Sequence, residues 1–225
     1  MTFSVSARCA RTGMLGIAIS SSSPAVAARC AHARAGVGVV ASQNITDPVL
    51  GQRGLDLMQR GASAHQALEI LTTSSPHIEF RQLVIVDAQG RTAGFSGVHA
   101  LGINGIAKGG EDVAAAGNLL ADPDIPRAMV EAFGASAGHL GDRLLAAMAA
   151  ARALGGEAGP VRSAGLLIVR DQPWPIVDLR VDWDEVDPIA ALERLWALYR
   201  PQIEDYVGRA IDPTAAPRFG VPGDE

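Results

Sequence analysis

Lysine is all but missing from this 225-residue chain: of its 19 lysines and arginines, Lys108 is the single lysine. Basic residues form no run, and the formal net charge is −5. A polyanion such as nucleic acid is therefore not an expected partner. Cysteine is nearly as scarce. Cys9 and Cys30 have neither CxxC spacing nor a histidine pattern around them, which predicts two buried thiols in a reducing compartment and leaves a disulfide between them open. The 5 histidines share no ligand spacing, so neither a metal nor a cofactor is expected. Missing too are an apolar stretch long enough to cross a bilayer and a charged head followed by an apolar run. The expectation is a soluble, cytoplasmic protein with no membrane contact.

Several apparent motifs fail on their surroundings. Gly36 to Ala41 matches GxGxxA, but its glycines lie inside a strand pattern and not at a strand-to-helix turn, which excludes a dinucleotide site. Lys108-Gly109-Gly110 lacks the frame of a phosphate-binding loop. Asp182, Asp184, Glu185 and Asp187 lack the glycine and terminal glutamate of a calcium loop and read as a strand end and a helix cap.

What the chain does have is period. With 48% hydrophobic residues it can bury a substantial core, and nothing in its length demands two domains. Met1 to Ala10 alternate, with Thr2, Ser4, Ser6 and Arg8 on one side of a strand and Phe3, Val5, Ala7 and Cys9 on the other. Met14 to Ser20 complete a hairpin. Ala25 to Ala35 reads as a short helix or a loop, and Gly36 to Asn44 as a third strand ending in Ser42, Gln43 and Asn44. Asp47-Pro48 caps a helix running to about Arg60, and Ser63 with Gln66 opens a second through a capping box. Arg81 to Gly97 form the clearest hairpin, and short strands are expected between Gly97 and Gly117. Helices follow from Asp122 to Phe133 and from His139 to Leu154, then strands over Ser163–Arg170 and Pro175–Trp183. A last helix, from Ile189 to about Ala210, is broken near Pro201.

Hairpins alternating with helix pairs predict an α+β chain: a four-layer α/β/β/α sandwich of two stacked, mainly antiparallel sheets with helices outside. One domain over residues 1–211 and an irregular tail over 212–225 are expected. The stripe Leu192, Leu195, Trp196 and Tyr199 is either core or a subunit interface, which leaves a homodimer open.

The head of the chain carries the chemistry. Removal of Met1 would leave Thr2 with a free α-amine, whose pKa near 7.7 to 8.0 suits it to act as general base for its own hydroxyl. The amides and side chains around Ser42, Gln43 and Asn44, together with Asn118 in its glycine-flanked turn, are candidate donors to an oxyanion. Arg81 with Gln82 either fixes the entry to the central hairpin or binds a substrate carboxylate.

Several segments together resemble the domain of unknown function 1028 family. They are Met1-Thr2-Phe3-Ser4, Ala33-Arg34-Ala35-Gly36-Val37-Gly38, Ser42-Gln43-Asn44, Arg81-Gln82-Leu83, Ala116-Gly117-Asn118-Leu119-Leu120 and Val177-Asp178-Leu179-Arg180-Val181. The resemblance implies a fold similar to that of the N-terminal nucleophile hydrolases. In that fold a threonine, serine or cysteine at the chain head attacks an amide carbonyl, and Thr2 holds that position. Proteasome-like relatives add a lysine that lowers the nucleophile's pKa, and this chain has none there. Arg34 is the nearest cation in sequence and can give only electrostatic help, with Lys108 as the other substitute. The reading is an amidohydrolase for a small linear amide, and the alternative is a binding protein for a small molecule or partner on the same fold.

Overall fold

The computed structural model describes residues 2–223. Met1, on whose removal the Thr2 chemistry depends, lies outside the described residues, as do Asp224 and Glu225 of the tail. The elements in order are β1 (Thr2–Arg8), β2 (Leu15–Ser21), α1 (Val26–Cys30), β3 (Ala31–Arg34), β4 (Gly38–Asn44), α2 (Pro48–Gln59), α3 (Ala64–Ser74), β5 (Arg81–Asp87), β6 (Thr92–Ser96), β7 (Gly105–Lys108) and β8 (Val113–Asn118). They continue with α4 (Ile125–Ala135), α5 (Leu140–Ala153), β9 (Ser163–Val169), β10 (Val177–Val181), α6 (Pro188–Tyr199) and α7 (Ile203–Ile211).

The strands form a 6-stranded sheet, β10-β9-β2-β1-β8-β7, and a 4-stranded sheet, β3-β4-β5-β6, with antiparallel pairing throughout. Period-two alternation then sorts the side chains into layers. Phe3, Val5 and Ala7 face Met129, Phe133, Leu144 and Leu192 of α4, α5 and α6. Val40, Leu83 and Ile85 of the smaller sheet face Leu50, Leu55 and Leu71 of α2 and α3. Between the sheets, Leu15, Ile17, Val39, Ala41, Val84, Ala114 and Ala116 close a third core. This is the four-layer sandwich that the hairpin-and-helix order predicts.

Local signals act as read. Asp47 accepts from the Val49 amide with Pro48 in the first turn of α2, and Ser63 and Gln66 complete their capping box. The final helix breaks at Pro201, where a 3₁₀ turn over Arg200–Gln202 separates α6 from α7. The undecided stretch Ala25–Ala35 resolves into both a helix and a strand. Its end turns at Gly36, with φ of 69°, so β4 starts at Gly38. The tail is not a free appendage: Arg209 donates to the carbonyls of Pro217 and Arg218 and lies over the Phe219 ring at 3.9 Å.

Gly97 ends the central hairpin under a tight restriction. A Cβ built there would sit 2.1 Å from the Glu79 carbonyl oxygen, and backbone cannot yield as a flexible side chain can. Gly97→Ala is therefore expected to destabilise the fold by about 1–3 kcal/mol, read as a lower urea midpoint with an unchanged slope.

Candidate functional site

β1 lies between β2 and β8, and its polar side points inward at the smaller sheet. Thr2, Ser4 and Ser6 are accordingly buried. Buried polar groups require partners, and the facing strands supply them through Gln43 of β4 and Gln82 of β5, directly opposite each other in register. Ser4 Oγ donates to Gln43 Oε1 at 2.7 Å, and Gln43 Nε2 donates to Gln82 Oε1 at 2.7 Å. Gln82 Nε2 in turn donates to Ser96 Oγ at 2.7 Å and to the Gly117 carbonyl at 3.0 Å. A directional chain of hydrogen bonds thus runs from the larger sheet through the smaller one and back.

Thr2 sits at the head of this network. Asn118 pairs with it across β8, so the two side chains share a face. On the other flank, Thr2 Oγ1 donates to Ser21 Oγ at 3.4 Å, and Ser21 Oγ is 2.9 Å from Ser23 Oγ. Asn118 Nδ2 donates to Gln82 Oε1 at 3.2 Å, whereas Asn118 Oδ1 is buried without a partner. Asn118 therefore holds out an unused acceptor, although as a candidate oxyanion group it was read as a donor.

Two non-glycine residues beside the network have left-handed backbone, Leu119 with φ of 50° and Asn44 with φ of 75°. Asparagine tolerates this region and leucine does so only at a cost. The two residues meet through the loop that follows Gly97: the Leu101 amide donates to Asn44 Oδ1 at 3.2 Å, and the Leu119 amide donates to the Leu101 carbonyl at 2.9 Å.

The remaining candidates separate by strand face and strand end. Ser42 points the other way across β4 and donates to the Asp47 carbonyl at 2.8 Å, tying down the start of α2. Asn44 spends its amide on the Phe80 carbonyl at 2.5 Å. Arg81 donates to the Ile45 carbonyl from the face of β5 opposite to Gln82. Arg34 pairs with Gly38, at the far end of β4 from Gln43, and is held by Asp56 at 2.9 Å. Lys108 pairs with Ala114, at the far end of β8 from Asn118. Neither cation is brought to Thr2.

One group at this end escaped the sequence reading. Glu157 is 3% exposed, forms a bridge with Leu120, and accepts the Ser22 amide on both carboxylate oxygens at 3.0 and 3.1 Å. Burial pushes its carboxyl up to about 7, against the positive charge of the chain's amino terminus and the Ser22 hydrogen bonds. The only sequence signal was an acid directly after the helix-ending Gly155-Gly156 pair.

Access is restricted. Thr2 is 4% exposed and lines none of the cavities described. The nearest cavity, of about 240 Å³, is lined by Phe3, Arg152, Gly155, Gly156 and Asp187, on the helix side of the sheet and not the side of the Thr2 hydroxyl. Among the described residues no group of three or more His, Cys, Asp or Glu is placed to hold a metal ion, and no helix is long and apolar enough to cross a membrane.

The family of unknown function DUF1028 matches residues 2–192. Among solved structures, protein SPO2555 from Silicibacter pomeroyi, assigned to DUF1028, is 32% identical with a TM-score of 0.81, covering 88% of this chain and 88% of its own. Anbu, the ancestral β-subunit from Yersinia bercovieri, is 16% identical with a TM-score of 0.40, covering 90% of this chain and 96% of its own. No curated protein is detectably similar to the chain.

Two contrasts test the network. Gln82→Leu takes the shared acceptor from Gln43 Nε2 and Asn118 Nδ2 together, and is expected to cost about 3 kcal/mol or more. Ser6→Ala, at a hydroxyl that already lacks a partner, is expected to change stability by less than about 0.5 kcal/mol or to raise it, both read by chemical denaturation. Glu157 tests the pH dependence. Its carboxyl is raised from 4.5 to about 7 in the fold, so in this window the native state holds a proton that the unfolded chain has lost. Stability therefore falls as pH rises from about 4.5 to about 7, by on the order of 3 kcal/mol, and Glu157→Gln should flatten that slope in melts taken across the range.

Proposed function

We propose that this chain, which belongs to the DUF1028 family, is an N-terminal nucleophile amidohydrolase acting on a small linear amide through Thr2. The observation that carries the reading is the position of Thr2 at the head of a central strand, its hydroxyl on the face shared with Asn118 and the buried amide network. With Met1 removed, the α-amine takes the hydroxyl proton as Oγ attacks the carbonyl. The oxyanion forms, the C–N bond breaks as that proton passes to the leaving nitrogen, and water releases the acyl group from Oγ. The unpartnered Asn118 Oδ1 suits an N–H of the substrate amide, and the uncommitted N–H groups of Gln43 and Asn118 suit the oxyanion.

A second reading, a binding protein without chemistry on the same fold, is favoured by the burial of Thr2 and by the distance of Lys108 and Arg34 from it. Catalysis requires access to Thr2, whereas binding elsewhere on the fold does not.

Intact-mass spectrometry of the mature protein, followed by exposure to a small β-lactone, separates the two. Catalysis predicts a chain beginning at Thr2 and a single acyl adduct on that residue, abolished in Thr2→Ala. A retained Met1, or adducts that survive Thr2→Ala, would overturn it.

A further inference from the structure

The described residues include two buried carboxylates, Asp87 and Glu157, and they are treated very differently. Asp87 accepts from the amides of Ala64, Gln89 and Arg91 and from the Arg91 guanidinium at 2.7 Å. Such a set compensates the cost of taking a carboxylate out of water. Glu157 is held by Ser22 alone, through its amide, shared between the two carboxylate oxygens, and its side chain, and has no guanidinium or ammonium within ion-pair distance among the described residues. The flanking charges are engaged elsewhere: Arg152 with Asp187 and Glu193, Arg162 with the Glu185 carbonyl, and Arg29 with the Pro24 and Ala25 carbonyls and Ser23 Oγ.

Its position says which cation would pair with it. β1 runs between β2 and β8, with neighbouring strands about 4.8 Å apart. Glu157 touches the chain just past the end of both flanking strands, at Ser22 beyond β2 and at Leu120 beyond β8. The preceding Gly156 lies against the Phe3 ring, where an added Cβ would meet Cε1 at 3.2 Å. A residue that spans both neighbours of β1 in this way stands over the head of β1 itself. The first group found there in a chain beginning at Thr2 is the α-amine.

We propose that Glu157 is the positioning carboxylate for the Thr2 α-amine, pairing with it in the processed chain and exchanging its proton. The inference rests on the reading of Thr2 as an N-terminal nucleophile. Before attack, the ammonium passes one proton to the carboxylate, leaving a neutral amine and a carboxylic acid. The amine then takes the Thr2 hydroxyl proton as Oγ bonds to the carbonyl carbon, and hands it to the leaving nitrogen as the C–N bond breaks. When water has cleared the acyl group, the acid returns its proton to the amine. Glu157 undergoes no net change. Burial that lifts the carboxyl to about 7 brings it close to an α-amine at 7.7 to 8.0, so the proton is shared on nearly equal terms.

The test uses the full chain produced to begin at Thr2, through a cleavable leader, so that it does not depend on cellular processing. The pH dependence of acetylation of the Thr2 amine by acetic anhydride, read by mass spectrometry, gives the amine's titration. Pairing predicts that Glu157→Gln lowers its midpoint by about one unit or more, and that Glu157→Asp recovers part of the shift. In the unsubstituted chain, carbon-13 spectra of the Glu157 carboxyl should show two steps at the midpoints seen for the amine, as coupled sites do. That measurement stands even where a variant folds poorly. An amine midpoint unmoved in folded Glu157→Gln, or a carboxyl with one independent step, would overturn the proposal. Coupled titration without a β-lactone adduct on Thr2 would leave the pairing standing and defeat the hydrolase reading, and an adduct without coupling would do the reverse.

Discussion

The side chain of Gln82 is the constraint on which the rest of this structure depends. It is buried between two sheets, and both ends of its amide are used: the oxygen accepts from Gln43 and Asn118, and the nitrogen donates to Ser96 and to the Gly117 carbonyl. Apolar contact between stacked sheets has no preferred register, since an alanine or valine packs almost as well one step along. A hydrogen-bonded amide network does have one, because a shift of one residue turns every side chain to the other face and leaves several polar groups unpaired in a low-dielectric interior. The relative placement of Thr2 and Asn118 on the larger sheet, against Gln43 on the smaller, follows from that requirement.

The same requirement explains why the middle core is small and mixed. The helix-facing cores are built from Leu, Ile, Phe and Met, whereas the inter-sheet core relies on alanine and valine and gives one end to serine and amide side chains. That end carries the left-handed backbone of Asn44 and Leu119 and the buried acceptor of Asn118. Left-handed backbone at two residues beside an unpartnered buried acceptor marks that end as a candidate for something besides stability.

Most of the frame could be read from the residues, because it rests on local physics. Caps at Asp47 and Ser63, the broken helix at Pro201 and the Arg81–Gly97 hairpin are each fixed by neighbours a few positions away. β3 could not be read: Ala31-His32-Ala33-Arg34 has too few residues and too little bulk to show a period, and it becomes a strand only because β4 lies beside it. Of the site, Thr2, Gln43 and Asn118 were visible because each ends a strand in a polar residue. Strand faces decided against Ser42 and Arg81 as neighbours of Thr2, and strand ends decided against Arg34. A residue's place in the sequence does not reveal either before the register is known. Glu157 was invisible for a stronger reason. Its burial is a tertiary fact, created where β2, β8 and the turn after α5 close over β1.

That closure also bears on how an arginine-rich, lysine-poor chain could run base chemistry at all. A guanidinium keeps its proton at every accessible pH, so arginines cannot substitute for a proton-exchanging lysine however near they lie. An α-amine can exchange at neutral pH unaided, but in a water-poor site its charged form has to be stabilised by something fixed. Glu157 is buried, held by Ser22 alone and without an ion-pair partner among the described residues, and the fold holds it over the strand whose first residue carries the hydroxyl.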